Sequence, residues 1–191
     1  MKTPSPNADA ASVTTADAGT GQQTSPFVTQ TAGLVLLAPY MPRLLERLGL
    51  LHENGFVSFD ATHRAVNLLY FVARGQVATD HTDLTLQKIL CGLPPQGDIP
   101  LGFVPTVQEA DTVKAMQDAV ISQFAVIGHI NSASLQSTFL TRPGVIKRLP
   151  TQAYEMVVEH ATYDILLDRL PWSYRVLHFP WMKSPLHVSW R

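Results

Sequence analysis

The chain has 191 residues, with 14 Lys and Arg against 15 Asp and Glu, a formal charge of −1 and a single cysteine. This length fits one ordinary domain, or one domain with a tail, because a domain takes about 100–200 residues. Apolar residues make up 46% and charged residues only 15%, which excludes a highly charged disordered chain. The balanced charge also removes any overall attraction to nucleic acid or to an anionic membrane, since such binding depends on clustered Lys and Arg.

The sequence contains no pattern typical of export or membrane insertion. Its first residues lack the apolar core of a signal peptide, and its apolar runs are far shorter than the ~20 residues that span a bilayer. The lone Cys91 cannot form an intramolecular disulfide, which fits a reducing compartment. We therefore expect a soluble, cytoplasmic protein.

The first 26 residues differ in composition from the rest of the chain. Apart from Met1, their one large aliphatic side chain is Val13, and the first aromatic residue is Phe27. Such a segment buries too little apolar area to offset an ordering entropy of roughly 1–2 kcal/mol per residue. We predict a disordered polar tail over residues 1–26 and a single folded domain over residues 27–191.

The segment from Thr31 to Leu51 is rich in leucine and interrupted by two prolines. Pro39 and Pro42 each remove a backbone donor and disfavour a helical conformation in the preceding residue. We therefore predict two short helical pieces with a bend between them, the second ending at Gly49.

A clearer helix follows, with Asp60 as its predicted N-cap and Gly75 at its end. Its apolar positions repeat at the spacing of one helix face: Ala65, Leu68, Leu69 and Val72. The run from Asp83 to Cys91, with Gly92 behind it, predicts a third helical stretch. Cys91 is expected in the core, because the negative end of the helix dipole there disfavours a thiolate.

A loop rich in proline and glycine over residues 92–105 precedes the longest predicted helix. Thr106 and Glu109 have the spacing of a capping box. The apolar positions behind them form one stripe: Val113, Met116, Val120, Phe124 and Ile127. A fifth helix is predicted from Ser132 to Leu140.

From Tyr154 onward the pattern changes from helical to strand-like. Three short runs alternate in polarity or are rich in strand-forming residues: 154–158, 176–179 and 186–190. We predict a small antiparallel sheet from these runs, with a helical turn at Tyr163 to Leu170. The fold class is therefore α+β, a helical body of about five helices followed by a C-terminal β element.

The sequence holds no motif for catalysis, phosphate binding or a zinc site, such as HExxH, GxGxxG, GxxxxGK[ST] or GxSxG. His160, His178 and His187 could meet across a hairpin and hold a metal, but polar residues on a solvent face explain them better. Asp164 and Asp168 could act as an acid and base pair, but ion pairs or a solvated helix face explain them better. We predict no enzyme activity, no cofactor and no metal.

Aromatic, Met and Arg side chains concentrate near the C-terminal end of the sequence. These residue types are enriched at the hot spots of protein interfaces. Core filling is the alternative for any one ring, because large aromatic side chains also dominate cores. Three tryptophans among many prolines are hard to bury together, so we expect at least one to reach a partner. The candidate partner-binding residues are Trp172, Tyr174, Arg175, Trp181, Met182 and Trp190.

Several stretches of the chain carry a resemblance to a known family. They are AGLVLLAPYMPRLLERLGLL (32–51), RAVNLLYFVARG (64–75), LTLQKILCGLPPQGDIP (84–100), LQSTFLTRPGVI (135–146) and YDILLDRLPWSYRVLHFPWMKSPLHVSWR (163–191). In this order they resemble the C-terminal domain of contractile injection system tape measure proteins, which belong to phage-tail-like particles of bacteria. The resemblance covers about residues 31–191, and the KILCGLP and DRLPW strings make it specific.

The resemblance implies a non-enzymatic structural or assembly component. Members of the family are thought to set the length of the inner tube and sheath, anchored at the baseplate or spike end. The implied partners are the baseplate or spike hub and the inner tube protein, with no nucleic acid and no membrane. A homo-oligomer, a trimer or hexamer, is expected in the particle, with assembly in the cytoplasm and a final place inside the particle.

Members of this family usually carry a long region ahead of the domain. Residues 1–26 would reach at most ~90 Å when extended and ~40 Å as a helix. This reach favours an anchoring module that acts in baseplate or tube initiation, or a ruler supplied by another chain, over a ruler formed by this chain. The alternative function is an adaptor or chaperone-like module that binds a tube subunit or effector.

Overall fold

The computed structural model describes residues 25–124 and 130–190. The predicted tail over residues 1–26 lies almost wholly outside them. The α-helices in these ranges are α1 (Met41–Arg47), α2 (Phe59–Arg74), α3 (Thr85–Leu90), α4 (Val107–Gln123) and α5 (Ser132–Leu135). Three 3-10 helices span Ala32–Tyr40, Thr82–Leu84 and Thr162–Arg169, and a π-helical turn spans Gln136–Leu140. The strands are β1 (Phe27–Thr29), β2 (Leu51–His52), β3 (Gly55–Phe56), β4 (Gly144–Arg148), β5 (Tyr154–Val158), β6 (Val176–Leu177) and β7 (Leu186–Trp190).

Five of these strands form one sheet in the order β1-β4-β5-β7-β6, and β2 pairs with β3 in a separate hairpin. The fold is therefore α+β, as the sequence predicts. The prediction of an antiparallel sheet is wrong, because β5 and β7 pair in parallel while the other neighbours are antiparallel. Parallel neighbours need a crossover connection, and the 3-10 helix Thr162–Arg169 lies within it. The sheet also includes β1 and β4, which precede the predicted strand region.

The 3-10 helix Ala32–Tyr40 lies at the centre of the fold, with every residue from 32 to 38 buried. A helix that is apolar on all sides is typical of a core position. Gly33 permits its close packing, because a Cβ there would lie 1.7 Å from the carbonyl oxygen of Phe139. The two predicted helical pieces are present, with Pro39 inside the first and Pro42 at the start of α1.

The helix α2 buries the face that the sequence predicts. Its N-cap is Ser58 and not Asp60, because the Ser58 hydroxyl accepts a hydrogen bond from the Ala61 amide at 3.0 Å. Asp60 lies in the first turn of α2, where a carboxylate interacts favourably with the helix dipole. Gly75 ends the helix with a φ of 66°, as predicted.

The predicted capping box of α4 is confirmed, with Thr106 and Glu109 each bonded to the other's backbone amide. Ile127, the last predicted position of its apolar stripe, lies outside the described residues. The predicted third helix is divided into the 3-10 helix Thr82–Leu84 and α3, and the predicted fifth helix into α5 and the π-helical turn.

The KILCGLP string joins α3 to the C-terminal part of the chain. The Lys88 ammonium is buried and donates to the backbone carbonyl of His81 at 3.1 Å, and burial lowers its pKa while Asp98 opposes the shift. Gly92 has a φ of 76°, and a Cβ there would lie 2.4 Å from the carbonyl oxygen of Trp181. A close backbone approach between distant segments therefore accounts for the glycine of this string.

The core lies between the helices and the inner face of the sheet. The inner-facing side chains are mostly buried and apolar: Ile146, Met156, Val158, Leu186 and Val188. Side chains on the outer face alternate with them, and Val28 is among the most exposed, at 60%. None of the helices that the structure describes has the length and apolarity that crossing a membrane requires.

Candidate protein-binding site

A groove of about 870 Å³ lies beside the end of β7. The 3-10 helix Thr162–Arg169 forms one side of the groove, and the last three residues of β7 form another. Tyr174 and Arg175, which directly precede β6, complete its lining. The groove therefore brings together three segments that are separate in sequence, and we define it as the β7 groove.

Three of the six predicted partner-binding residues line the β7 groove: Tyr174, Arg175 and Trp190. The rings of Tyr174 and Trp190 meet edge to face with centroids 5.8 Å apart, a favourable aromatic geometry. Burial raises the pKa of Tyr174, Arg175 lowers it, and the carboxylates of Asp168 and Asp164 raise it further, so that the net shift is upward. The phenol therefore stays protonated at neutral pH and can donate a hydrogen bond.

A buried ion pair supports the wall of the groove. Arg142 Nη1 lies 2.7 Å from Asp164 Oδ1, with side-chain exposures of 7% and 5%. Asp164 also accepts from the Ala161 amide at 2.7 Å, which fixes the start of the 3-10 helix. The Arg142 guanidinium lies over the Trp190 ring, 5.1 Å from its centroid. Sequence reasoning missed Arg142, whose partner is 22 residues away and follows no local pattern.

Asp164 and Asp168, the candidate acid and base pair, have different environments. Asp164 is buried and paired with Arg142, whereas Asp168 is exposed on the groove lining. The ion-pair interpretation is therefore correct for Asp164. Its carboxylate oxygens are occupied by the Arg142 guanidinium and the Ala161 amide, which gives it a structural role.

Trp172 is not part of the β7 groove lining, although it lines an adjoining groove with Tyr174 and Arg175, and it packs on the helical body. Its indole Nε1 donates to the Leu36 carbonyl at 2.9 Å, inside the central 3-10 helix. Its ring meets Tyr40 edge to face at 5.3 Å and lies 6.5 Å from the Phe124 ring. The structure thus gives Trp172 a packing role, beside the partner contact that the sequence predicts.

Trp181 and Met182 occupy a third position, against α3. Trp181 Nε1 donates to the Leu90 carbonyl at 2.9 Å, and its ring stacks on Phe179 with centroids 5.0 Å apart. Met182 is buried, and its sulfur accepts from the Phe179 amide at 3.4 Å. The six predicted residues therefore do not form one patch.

The remaining candidate residues for chemistry are the three histidines that could hold a metal and the lone cysteine. Within residues 25–124 and 130–190, no group of three or more His, Cys, Asp or Glu side chains is placed to hold a metal ion. The three-histidine alternative is therefore not formed, with His160 on the groove and His187 on the outer face of β7. Cys91 is buried, and burial raises the pKa of its thiol, so the expected core position is correct.

A family model described as contractile injection system tape measure protein matches residues 2–190 of the chain. The match includes every segment that lines the β7 groove. It also extends the resemblance seen over residues 31–191 toward the N-terminus. No curated protein and no solved structure matches the chain.

Proposed function

We propose, from the premise that the chain belongs to the contractile injection system tape measure protein family, that it is an anchoring component which binds another particle protein through the β7 groove. The bound protein in this proposal is the baseplate or spike hub, or the inner tube protein. The role is non-enzymatic, in the initiation or length control of the tube and sheath, and the protein assembles in the cytoplasm.

The observation that carries the proposal is the composition of the β7 groove. Tyr174, Arg175 and Trp190 are residue types enriched at interface hot spots, and all three line it. Ile165 also lines the groove and is 71% exposed, so it adds apolar surface to the lining. Binding of a partner protein would remove this apolar surface from water.

The electrostatics of the groove favour a binding role over a catalytic one. Its buried carboxylate, Asp164, is neutralised by Arg142. Its exposed charges, Asp168 and Arg175, have opposite signs. A catalytic site needs a reactive group and a second group that tunes it in a pocket that excludes water, and the groove lining offers no such combination among the described residues.

The proposal is tested on particles purified from the source organism. A strain that lacks the chain should form no tubes, or tubes of uncontrolled length in electron micrographs. Mass spectrometry should find the chain at fixed stoichiometry in wild-type particles. Normal tubes in its absence would contradict the proposal, and tubes that need the chain without retaining it would indicate the adaptor role instead.

A matched pair of surface variants tests the β7 groove itself. Ile165→Asp places a charge on the groove, whereas Val107→Asp places the same charge on α4, at a side chain that is 79% exposed. We expect Ile165→Asp to reduce incorporation into particles and Val107→Asp to leave it unchanged. Equal incorporation of the two folded variants would exclude the groove as the binding surface.

A further inference from the structure

The strand β7 has two hydrogen-bonding edges, one toward β5 and one toward β6. The edge toward β6 is only partly paired. The Tyr154 amide donates to the Pro185 carbonyl at 2.9 Å. Because backbone groups alternate in direction along a strand, His187 and Ser189 direct their amides and carbonyls toward β5. Leu186, Val188 and Trp190 direct theirs toward β6.

Pairing on the β6 side stops before β7 ends. The Val188 amide donates to the Arg175 carbonyl at 2.8 Å. The Arg175 amide donates to the Ser173 hydroxyl oxygen at 3.4 Å and not to the Val188 carbonyl. The second hydrogen bond of an antiparallel residue pair is therefore missing here. Among the described residues, the Val188 carbonyl and the Trp190 amide have no hydrogen-bond partner on this side.

Trp172 explains why the chain leaves this edge open. A continued β6 would place Ser173 opposite Trp190, but the hydrogen bond from Trp172 to the Leu36 carbonyl draws the chain toward the helical body. The space that a further strand would occupy belongs to the β7 groove, which is lined by Val188, Trp190 and Arg175.

We infer that the β7 groove binds an extended segment of the partner protein, which adds to the sheet as a strand paired with the end of β7. This inference rests on the proposed function and names the conformation of the bound partner. The segment accepts from the Trp190 amide and donates to the Val188 carbonyl, as in strand-addition complexes. Such an edge is a ready template for another strand.

The lining also sets the side-chain chemistry of the segment. Alternate residues of an added strand point to the same face, so one set faces the rings of Tyr174 and Trp190 and the exposed Ile165. The segment therefore carries a large apolar or aromatic residue in that set. Asp168 and Arg175 line the groove with opposite charges, so recognition depends on backbone bonds and apolar contact and not on net charge.

Two substitutions of Trp190 separate the contribution of its backbone amide from that of its indole ring. Trp190→Ala removes the indole and keeps the amide, whereas Trp190→Pro removes both, because proline has no N–H. Both variants are expressed in the source organism, and their amounts in purified particles are measured by mass spectrometry. We expect Trp190→Pro to be incorporated about tenfold less than Trp190→Ala, since one bond of about 1.4 kcal/mol corresponds to a tenfold change. Equal incorporation of the two folded variants would overturn the inference.

Hydrogen exchange of the wild-type chain gives a second measurement, which does not depend on the folding of a variant. The Trp190 amide should exchange freely in the isolated chain and at least about tenfold more slowly in the particle. Unchanged exchange in particles that contain the chain would overturn strand addition and leave the proposed function intact. Absence of the chain from particles would contradict the proposed function instead. Protection of this amide in a dimer of the isolated chain would assign the edge to a second copy and also overturn the inference.

Discussion

Arg142 and Asp164 form a bidentate ion pair, in which Nη1 donates to Oδ1 at 2.7 Å and Nη2 donates to Oδ2 at 2.9 Å. The arginine lies just before β4, and the aspartate lies in the 3-10 helix Thr162–Arg169. Arg142 also donates to the Glu159 carbonyl. Its remaining face covers the Trp190 ring. One buried ion pair therefore connects the sheet, the crossover and the wall of the β7 groove.

Removal of one partner from this pair should be strongly destabilising. Asp164→Ala leaves the Arg142 charge buried without a counter-ion, which costs about 3–5 kcal/mol of unfolding free energy. Urea denaturation measures the loss. The matched control is Lys114→Ala, which breaks the Lys114–Asp118 pair, whose side chains are 69% and 54% exposed, and should cost no more than about 0.5 kcal/mol. Similar losses in the two variants would contradict a structural role for the buried pair.

The contact at Gly33 should tolerate no side chain. Gly33→Ala places a Cβ 1.7 Å from the Phe139 carbonyl oxygen, so the central 3-10 helix must move away from the π-helical turn. We expect a loss of at least about 3 kcal/mol, or failure to fold. Thermal unfolding followed by circular dichroism measures it. Gly55→Ala is the control, because no described atom beyond the adjacent residues lies within 4 Å of the new Cβ. It should unfold near the wild-type temperature, and equal midpoints for both variants would refute the expectation.

Glu109 should make stability depend on acid pH. Burial raises the pKa of this carboxyl, but hydrogen bonds from Arg64 and Thr106 outweigh it and hold the pKa below the ordinary 4.5. A carboxyl with a depressed pKa in the folded state stabilises it above the ordinary value, and this stabilisation is lost as pH falls through the lower one. Glu109→Gln can keep the cap hydrogen bond but not the charge. The free energy difference between wild type and variant, from urea titrations, should therefore be largest near neutral pH and shrink below about pH 4.5. A difference that is constant with pH would exclude this origin.

Labelling of Cys91 by a thiol reagent should require unfolding of the chain. Its side chain is 3% exposed, and burial raises the pKa of the thiol, so neither access nor the thiolate form is available in the folded chain. Iodoacetamide should leave the native protein unmodified and label it fully in urea, as read by mass. An exposed thiol introduced by Thr151→Cys is the control and should react at once. Rapid native labelling of Cys91 would show that the packing around it opens locally.

The long, regular helices could be predicted from sequence because their signals are local. The capping box of Thr106 and Glu109 and the left-handed glycine at Gly75 act within one turn of the chain. The error at Asp60 is of the same kind, since Ser58 and Asp60 are both good caps and the choice depends on the preceding backbone. Helix propensity and apolar periodicity locate the start of the helix without deciding which of two nearby residues is the N-cap.

The sheet could be predicted only in part, because strand pairing is not local. The pairing of β1 with β4 joins Phe27 to Ile146, and no short pattern identifies a three-residue strand. The parallel pairing of β5 and β7 depends on the path of the intervening crossover. The candidate site could likewise be predicted only in part. Residue type indicates Tyr174, Arg175 and Trp190 as interface residues, but their grouping into one groove depends on the tertiary fold.

The strand order places β1 and the β7 groove at opposite sides of the sheet. The chain enters the sheet at β1, on one edge, while the β7 groove lies near the other, about 15–20 Å away at ~4.8 Å per strand. Mechanical tension between these sides would act across the strands, along their hydrogen bonds. A force measurement with handles at residues 25 and 190 should therefore detach β1 first, since it holds the sheet by only three residues. Under such tension β1 would separate from β4 before the core unfolds.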